Sequence, residues 1–313
     1  MPPSHRFGGE AYNDDPHVEK ECKPMLAILI QLLVSGIALG FIYALVGIEY
    51  TLVWNSTGLL NFSHDKLITL GAYIFGGTLV LGLGLNSWLS VIIAMIVSGI
   101  VGALVASTIF NPLRNMRSTI FAVMGTIMLG RILYEATRLI WGPIPFTVPN
   151  WLTGNVVIHD ISITKANLYI CVVSIVVVAC LQTFLTFTKT GKAMRCVAQN
   201  KKAAALMGIN VSQNICITTG ISSIICCIIG MLIIPLFNID VNMASMIGLK
   251  GFSAGVIGGF GYMPGAILGG LIIGIVENLS VAVLPAVYKD VVSFVLLILF
   301  LLVRPGGILG KKA

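Results

Sequence analysis

Long apolar runs alternate with short polar breaks along most of the chain, over roughly 25–54, 67–84, 88–110, 118–141, 167–188, 213–236, 246–282 and 288–303. A helix that crosses a bilayer needs about 20 mostly apolar residues, and runs of that order recur to the end of the sequence. The first is separated from the second by the polar break Asn55–Lys66. The run 246–282 is too long for one straight helix, and Gly251, Gly255, Gly258, Gly259, Gly261, Pro264 and Gly265 interrupt it. It predicts a half-length segment, a turn at Tyr262–Pro264 and a full helix to about Val276. The expected fold is all-α: a polytopic transmembrane bundle of about eight or nine membrane segments with broken or half helices. Residues 1–24, polar and mixed in charge, are expected as an N-terminal tail, and 25–313 as one transmembrane domain with a cytoplasmic loop at 189–212.

Composition excludes a soluble domain. Of the 313 residues, 57% are hydrophobic and 10% charged, against roughly 25% charged in soluble domains. A single apolar leader followed by soluble sequence, as in a secreted protein, is not the pattern here. The net charge of +7 sits in loops: Lys189, Lys192, Arg195, Lys201 and Lys202 in one, Arg114 and Arg117 in another, and Arg304, Lys311 and Lys312 at the C-terminus. Positive loops stay in the cytoplasm, so the excess marks topology and contact with anionic lipid, not nucleic acid. Loop 142–166, with Asp160, is expected outside. A C-terminus inside requires 246–262 to cross, and the same parity puts the N-terminal tail outside. Trp54, Trp88, Trp141 and Trp151 fall near run ends, as interfacial anchors do. Cys171, Cys180, Cys216, Cys226 and Cys227 lie in apolar runs and Cys196 in a basic loop. With no C-x-x-C spacing, they are expected as small hydrophobes, neither a disulfide framework nor a metal site.

Few residues carry chemistry. Within 191–210, Ala203, Ala204, Leu206 and Met207 can share one side of a short helix ended by Gly208. That suits a docking surface, or equally a basic loop that only fixes topology. Asn61–Asp65 can open a half-helix inside the bundle, where free N–H groups favour a carboxylate, or can be an ordinary capped loop at the surface. Ionisable residues in apolar runs are costly unless paired or wet. Arg131 and Glu135 can pair four residues apart. Arg138 and Glu277 are expected at interfaces. Glu49 has no local partner and either reaches a helix end or faces the cavity. The Gly-rich stretch 251–265 lacks the βαβ context of a dinucleotide loop. Gly306–Lys312 lacks the spacing and hydroxyl of a phosphate loop. The two glycosylation sequons at Asn55 and Asn61 are expected to be chance matches.

Three stretches in order, Gly36–Tyr73 with Asn61-Phe62-Ser63-His64-Asp65, Gly191–Asn210, and Gly251–Glu277 with the closing Arg304-Pro305-Gly306-Gly307, resemble the inner-membrane permease subunits of branched-chain amino acid ABC transporters. The resemblance spans about 28–310. It implies a pore-forming subunit of the bacterial cytoplasmic membrane, with no catalytic residues, no metal and no cofactor of its own. The implied partners are a second permease subunit, two cytoplasmic ATPases that hold ATP–Mg, and an extracytoplasmic substrate-binding protein. Gly191, Arg195, Asn200, Ala203, Ala204 and Gly208 would form the coupling segment that inserts into the ATPase. Lys202 stands where the general importer signature has an acid. Asn61, Phe62, Ser63, His64, Gly258 and Gly259 would line the substrate path. Asp65 and Glu49 stand where the family pattern has Gly. An acid at Asp65 would disfavour a substrate carboxylate unless Lys66 or His64 pairs with it. The resemblance also implies two halves that repeat weakly, the Gly-rich stretch 251–265 answering the break at 55–66, with broken segments meeting at mid-membrane. Two alternatives stand beside it: the same architecture importing urea, amides or other amino acids, and a secondary transporter that runs without ATP.

Overall fold

The computed structural model describes residues 16–114, 119–149, 151–158, 161–304 and 306–310. Arg117, Asp160, Lys311 and Lys312, used above to orient the chain, lie outside them, as does 1–15. In chain order the elements are α1 (Pro16–Thr57), α2 (His64–Ala72), α3 (Ser87–Val105), α4 (Asn111–Arg114), α5 (Thr119–Trp141), β1 (Asn155–Ile158), β2 (Ile161–Thr164), α6 (Lys165–Phe187), α7 (Lys189–Gln199), α8 (Lys201–Leu206), α9 (Val211–Ile233), α10 (Ser245–Gly258), α11 (Met263–Ser280) and α12 (Lys289–Val303). Wide π-helical turns extend α2 to Gly82 and join α3 to α4.

Among the described residues, seven helices are long and apolar enough to cross a membrane: α1 from Ile28, α3 through Leu113, α5, α6, α9, α11, and α12 counted from Ala286. Two more segments pass through the bundle in pieces. One is α2 with its π-helical extension, nine and ten residues long. The other is α10, which has only 14 residues. Counted beside the seven, these give nine segments among the described residues, within the eight or nine expected, though α10 is too short to count as a full span by itself. The polar stretch 16–24, expected as tail, continues α1 without a break.

The basic segment from Lys189 to Asn210 marks the inner end of the bundle. Lys201 Nζ donates to Thr57 O at 2.5 Å, and Asn55 Nδ2 donates to Gly261 O at 3.0 Å. Both tie the end of α1 to this side. The outer end holds an antiparallel hairpin, Asn155↔Thr164 through Ile158↔Ile161, in the loop where no strand was expected. The β-branched run Val156, Val157, Ile158, Ile161 and Ile163 accounts for it. Across from the hairpin, Phe146 and Ile239 exchange backbone hydrogen bonds of 2.9 and 3.2 Å. Trp88 is exposed at this end, as an anchor should be, whereas Trp151 is buried and donates to Met231 O at 2.9 Å.

The centre is held by close backbone contact. A Cβ on Gly40 would meet Leu271 Cα at 2.9 Å, and one on Gly274 would run into the backbone of Gly40. Small residues of this kind let membrane helices approach and gain dispersion contact, which seats α11 directly on α1. Against that pair, α9 is the most buried of the spans, while α12 lies almost wholly at the surface.

The two interrupted segments meet inside the bundle. α10 starts roughly 21 Å from its inner end at 1.5 Å per residue. Its first residue, Ser245, accepts a 2.9 Å hydrogen bond from Lys66 Nζ near the start of α2. The expected meeting of broken segments therefore occurs: Asn55 and Phe62 touch Gly261 and Phe252, and the end of the break at Lys66 also meets the approach to α10 at Asn242. The Gly-rich stretch 251–265 forms the end of α10, the inner turn and the start of α11.

Candidate functional site

The start of α2 is a place where polar side chains converge inside the bundle. Residues 58–63 lead into it as a non-helical link that ends in a turn. Asn61 Oδ1 accepts from Ser63 N at 3.0 Å and Ser63 Oγ at 2.7 Å, an Asx turn that stops the chain from continuing as helix. Phe62 N donates to Thr126 Oγ1 of α5 at 3.3 Å. Lys66 N and Leu67 N then return to Ser63 O at 3.1 Å and begin the helix.

Behind this turn lies a buried cluster that sequence reasoning did not assemble. Glu49 reaches neither a helix end nor the cavity, the two outcomes left open above, and is fully buried. Its Oε1 accepts from Ser222 Oγ at 2.7 Å and Cys226 Sγ at 2.9 Å, and pairs with His64 Nδ1. A carboxylate in this apolar setting is tolerable only with such donors. The cluster pins α1, α2 and α9 together at the break. Glu49, His64 and Cys226 also offer an oxygen, a nitrogen and a sulfur within 4.8 Å of one another, a ligand-type set where none was expected. Bonds to a tetrahedral ion, about 2.0–2.3 Å long, would need these atoms wider apart than their present hydrogen bonds, so the arrangement fits a hydrogen-bonded junction. The cue that could have found it was Glu49 itself, an acid that needs donors. Ser222 and Cys226 are too far along the chain for spacing to name them.

In front of the turn, a groove of about 470 Å³ runs between α2 and α5. Of the four expected path residues in this stretch, only Phe62 lines it; Asn61, Ser63 and His64 are buried behind. Its polar lining is Asp65, Lys66, Arg131, Tyr134 and Asn242. Lys66 Nζ lies 3.2 Å from Asp65 Oδ2, so the acid that would repel a carboxylate is paired. Lys66 and Arg131 both lie over the Tyr134 ring, at 5.2 and 4.9 Å, within cation–π range. Arg131 pairs with Glu135 at 3.2 Å, as its spacing predicted, and Arg138 joins them at 3.6 Å. The side chains of all three stay substantially exposed, Arg131 at 68%. An arginine halfway along a membrane helix cannot face hydrocarbon cheaply, so this face of α5 borders water or protein.

Gly258 and Gly259 do not join the groove. A Cβ on Gly258 would collide with Gly265, and one on Gly259 would meet Gly310 N at 2.6 Å. Backbone bonds from Ile308 to Ile257 and from Leu309 to Gly258, 2.9 and 3.2 Å, hold the C-terminal segment on the end of α10. The pair packs the inner junction instead of lining the path. Glu277, three residues from the outer end of α11, is buried against its neighbours. It takes Lys250 Nζ at 2.8 Å, Ser293 Oγ at 2.9 Å and Tyr43 OH at 3.2 Å, and Lys250 reaches Asp290 at 2.7 Å.

At the inner end, α7 and α8 form two short helices joined at Asn200. Thr188 Oγ1 accepts from Gly191 N at 2.9 Å and caps α7. Gly191, Met194 and Val197 form its buried stripe, while Arg195 is exposed. Asn200 Oδ1 accepts from Lys202 N and Ala203 N, both at 3.0 Å, and caps α8. Gly208, at φ +83°, closes it, with Gly208 N on Ala205 O at 3.0 Å and Ile209 N on Ala204 O at 3.1 Å. These are the two bonds of a Schellman cap, which needs a left-handed residue. The expectation of one shared apolar side fails: Ala204 is buried, while Leu206 and Met207 are 88% and 83% exposed. The cap turns the end of α8 outward and presents those two side chains.

Apolar spans, an interrupted pair meeting inside the bundle and a charged groove at that meeting mark a multi-pass membrane protein. The sequence narrows this. The family described as branched-chain amino acid transport system, permease component, matches residues 32–301. The high-affinity branched-chain amino acid transport permease LivH of Salmonella typhimurium is 35% identical over 296 residues, covering 90% of this chain and 96% of the relative. LivH of Escherichia coli is 34% identical with the same coverage, and BraD of Pseudomonas aeruginosa is 33% identical over 92% of this chain and 98% of its own. The chain belongs to this permease family, and as a permease component it is one part of a larger transport system in the cytoplasmic membrane.

Proposed function

We propose that the chain imports branched-chain amino acids as one of two permease subunits, driven by two cytoplasmic ATPases that bind ATP–Mg and supplied by an external binding protein. The observation that carries this reading is the pair of exposed faces on a membrane bundle. One is the charged face of α5 at mid-depth, which a second permease subunit would cover across a shared path. The other is the Leu206–Met207 tip of α8 at the inner end, which an ATPase groove would receive. The basic residues around α7 and α8, Arg195 and Lys202 among them, orient that contact.

Coupling follows from the tie between these regions. Motion of α8 reaches the end of α1 through Lys201 and Thr57 O, and α1 carries Glu49, which holds the start of α2 through His64. Closure of the ATPases would thus shift the broken segment that walls the groove, and the bundle would alternate between inward and outward access.

Site-specific photo-cross-linking from position 207 in native membranes tests the assignment. An adduct to a P-loop ATPase is expected. A well-folded, reactive probe that yields no such adduct removes the coupling role and favours a transporter that runs without ATP.

A further inference from the structure

The groove between α2 and α5 carries both signs of charge beside an apolar wall, and that pattern selects a class of solute. Resting on the reading of the chain as an amino acid permease, we propose that Asp65 and Lys66 are a zwitterion clamp: Lys66 takes the α-carboxylate, Asp65 the α-ammonium, and Phe62 with Ile127 the branched side chain.

Three observations support the clamp. First, the paired charges are accessible but sheltered, with 15% and 18% of the Lys66 and Asp65 side chains exposed. Charges at such a site act more strongly than in open water. Second, besides the Tyr134 ring, Lys66 Nζ is held by acceptors that a carboxylate can replace: Asp65 Oδ2 at 3.2 Å, Ser245 Oγ at 2.9 Å and Asn242 Oδ1 at 3.4 Å. When a substrate carboxylate displaces Asp65, the freed Asp65 meets the substrate ammonium, so one ion pair becomes two and no charge is left alone. Third, Phe62 and Ile127 are 37% and 46% exposed into this space, and a groove of about 470 Å³ lies within the usual range of small-molecule sites.

The chemistry also discriminates. A carboxylate without an ammonium would strand Asp65, and an amine without a carboxylate would strand Lys66, each an uncompensated charge in a partly desolvated site. A neutral amide gains nothing from opening the pair. Arg131, also over the Tyr134 ring at 4.9 Å, adds a second cation on the α5 wall, where a carboxylate passing along the groove is handed on.

Uptake of radiolabelled leucine by cells that depend on this chain and its partner subunits provides the test, with rates normalised to the amount of chain in the membrane. Lys66→Met and Asp65→Asn are each expected to lower uptake more than tenfold. Both losses are expected to appear chiefly as a rise in the KM for leucine, which the loss of a merely structural pair need not produce. Arg131→Gln, on an exposed side chain, is expected to raise KM several-fold without disturbing the α2–α10 contact. The clamp is overturned if wild type imports leucine while Lys66→Met, Asp65→Asn and Arg131→Gln all stay within twofold of it; the permease reading then stands. Wild type that imports no leucine but carries an amide or urea overturns both.

Discussion

Lys250→Ala is expected to destabilise the chain by about 3–5 kcal/mol, the usual penalty for removing one member of a buried ion pair. Lys250 is 4% exposed and lies between Glu277 Oε1 at 2.8 Å and Asp290 Oδ1 at 2.7 Å. Its loss leaves two acids facing each other, one of them buried, across α10, α11 and α12. Glu277→Ala is expected to cost less, because Lys250 keeps Asp290. Removing both buried charges together, as Lys250→Met with Glu277→Gln, is expected to recover much of the loss, since the neutral pair no longer needs solvation. Thermal melting of the detergent-purified chain, followed by its retention as a monodisperse species, ranks the three. A Lys250→Ala chain that melts with wild type would show that water reaches the pair and that the network does not hold the helices.

The second large effect is expected at the tip of α8. Leu206→Asp with Met207→Asp leaves the fold intact, because both side chains stand in the open at 88% and 83% exposure. Buried apolar anchors in an interface each carry about 2 kcal/mol or more, and 1.4 kcal/mol is a tenfold change in binding. The double variant is therefore expected to lose transport by well over tenfold at an unchanged level in the membrane, with the ATPase released from the complex. Wild-type transport by this variant would mean that the ATPase is gripped elsewhere, with α7 the next surface to examine.

The sequence made the architecture legible because membrane spans are long and every backbone group in them must be satisfied within the helix. The break expected near Tyr262–Pro264 follows from glycine and proline and is found slightly earlier, at Gly259–Tyr262, with Pro264 in the first turn of α11. What could not be read was which distant residues meet. Glu49 signalled a need for donors, yet Ser222 and Cys226 read as ordinary members of an apolar helix, and only the packing of α9 on α1 brings them together. Lys250 was overlooked for a related reason: a single lysine in a glycine-rich run gives no hint that it will find Glu277 on the next helix. Gly258 and Gly259 misled in the opposite direction. Their small size serves a tight junction with the C-terminal segment, and a glycine that permits close packing looks the same in sequence as one that opens a path. At α8 the short helix and its glycine stop were read correctly, but not its rotation, because a six-residue helix is too short for periodicity to say which side the bundle covers.

The charged face of α5 has a consequence for the life of the protein before it works. Where a second permease subunit covers this face, as proposed, a newly inserted copy without it would hold Arg131 and Glu135 against lipid, at roughly 2.5–3.5 kcal/mol for a charge at the bilayer centre on insertion scales. Such uncovered charges are then expected to mark an orphan subunit for membrane proteolysis, with assembly hiding the mark. In a pulse-chase experiment the half-life of the chain is expected to lengthen when its companion permease is made alongside it. Arg131→Leu with Glu135→Leu should make the lone chain longer-lived; if lifetime is indifferent to both, these charges play no part in policing assembly.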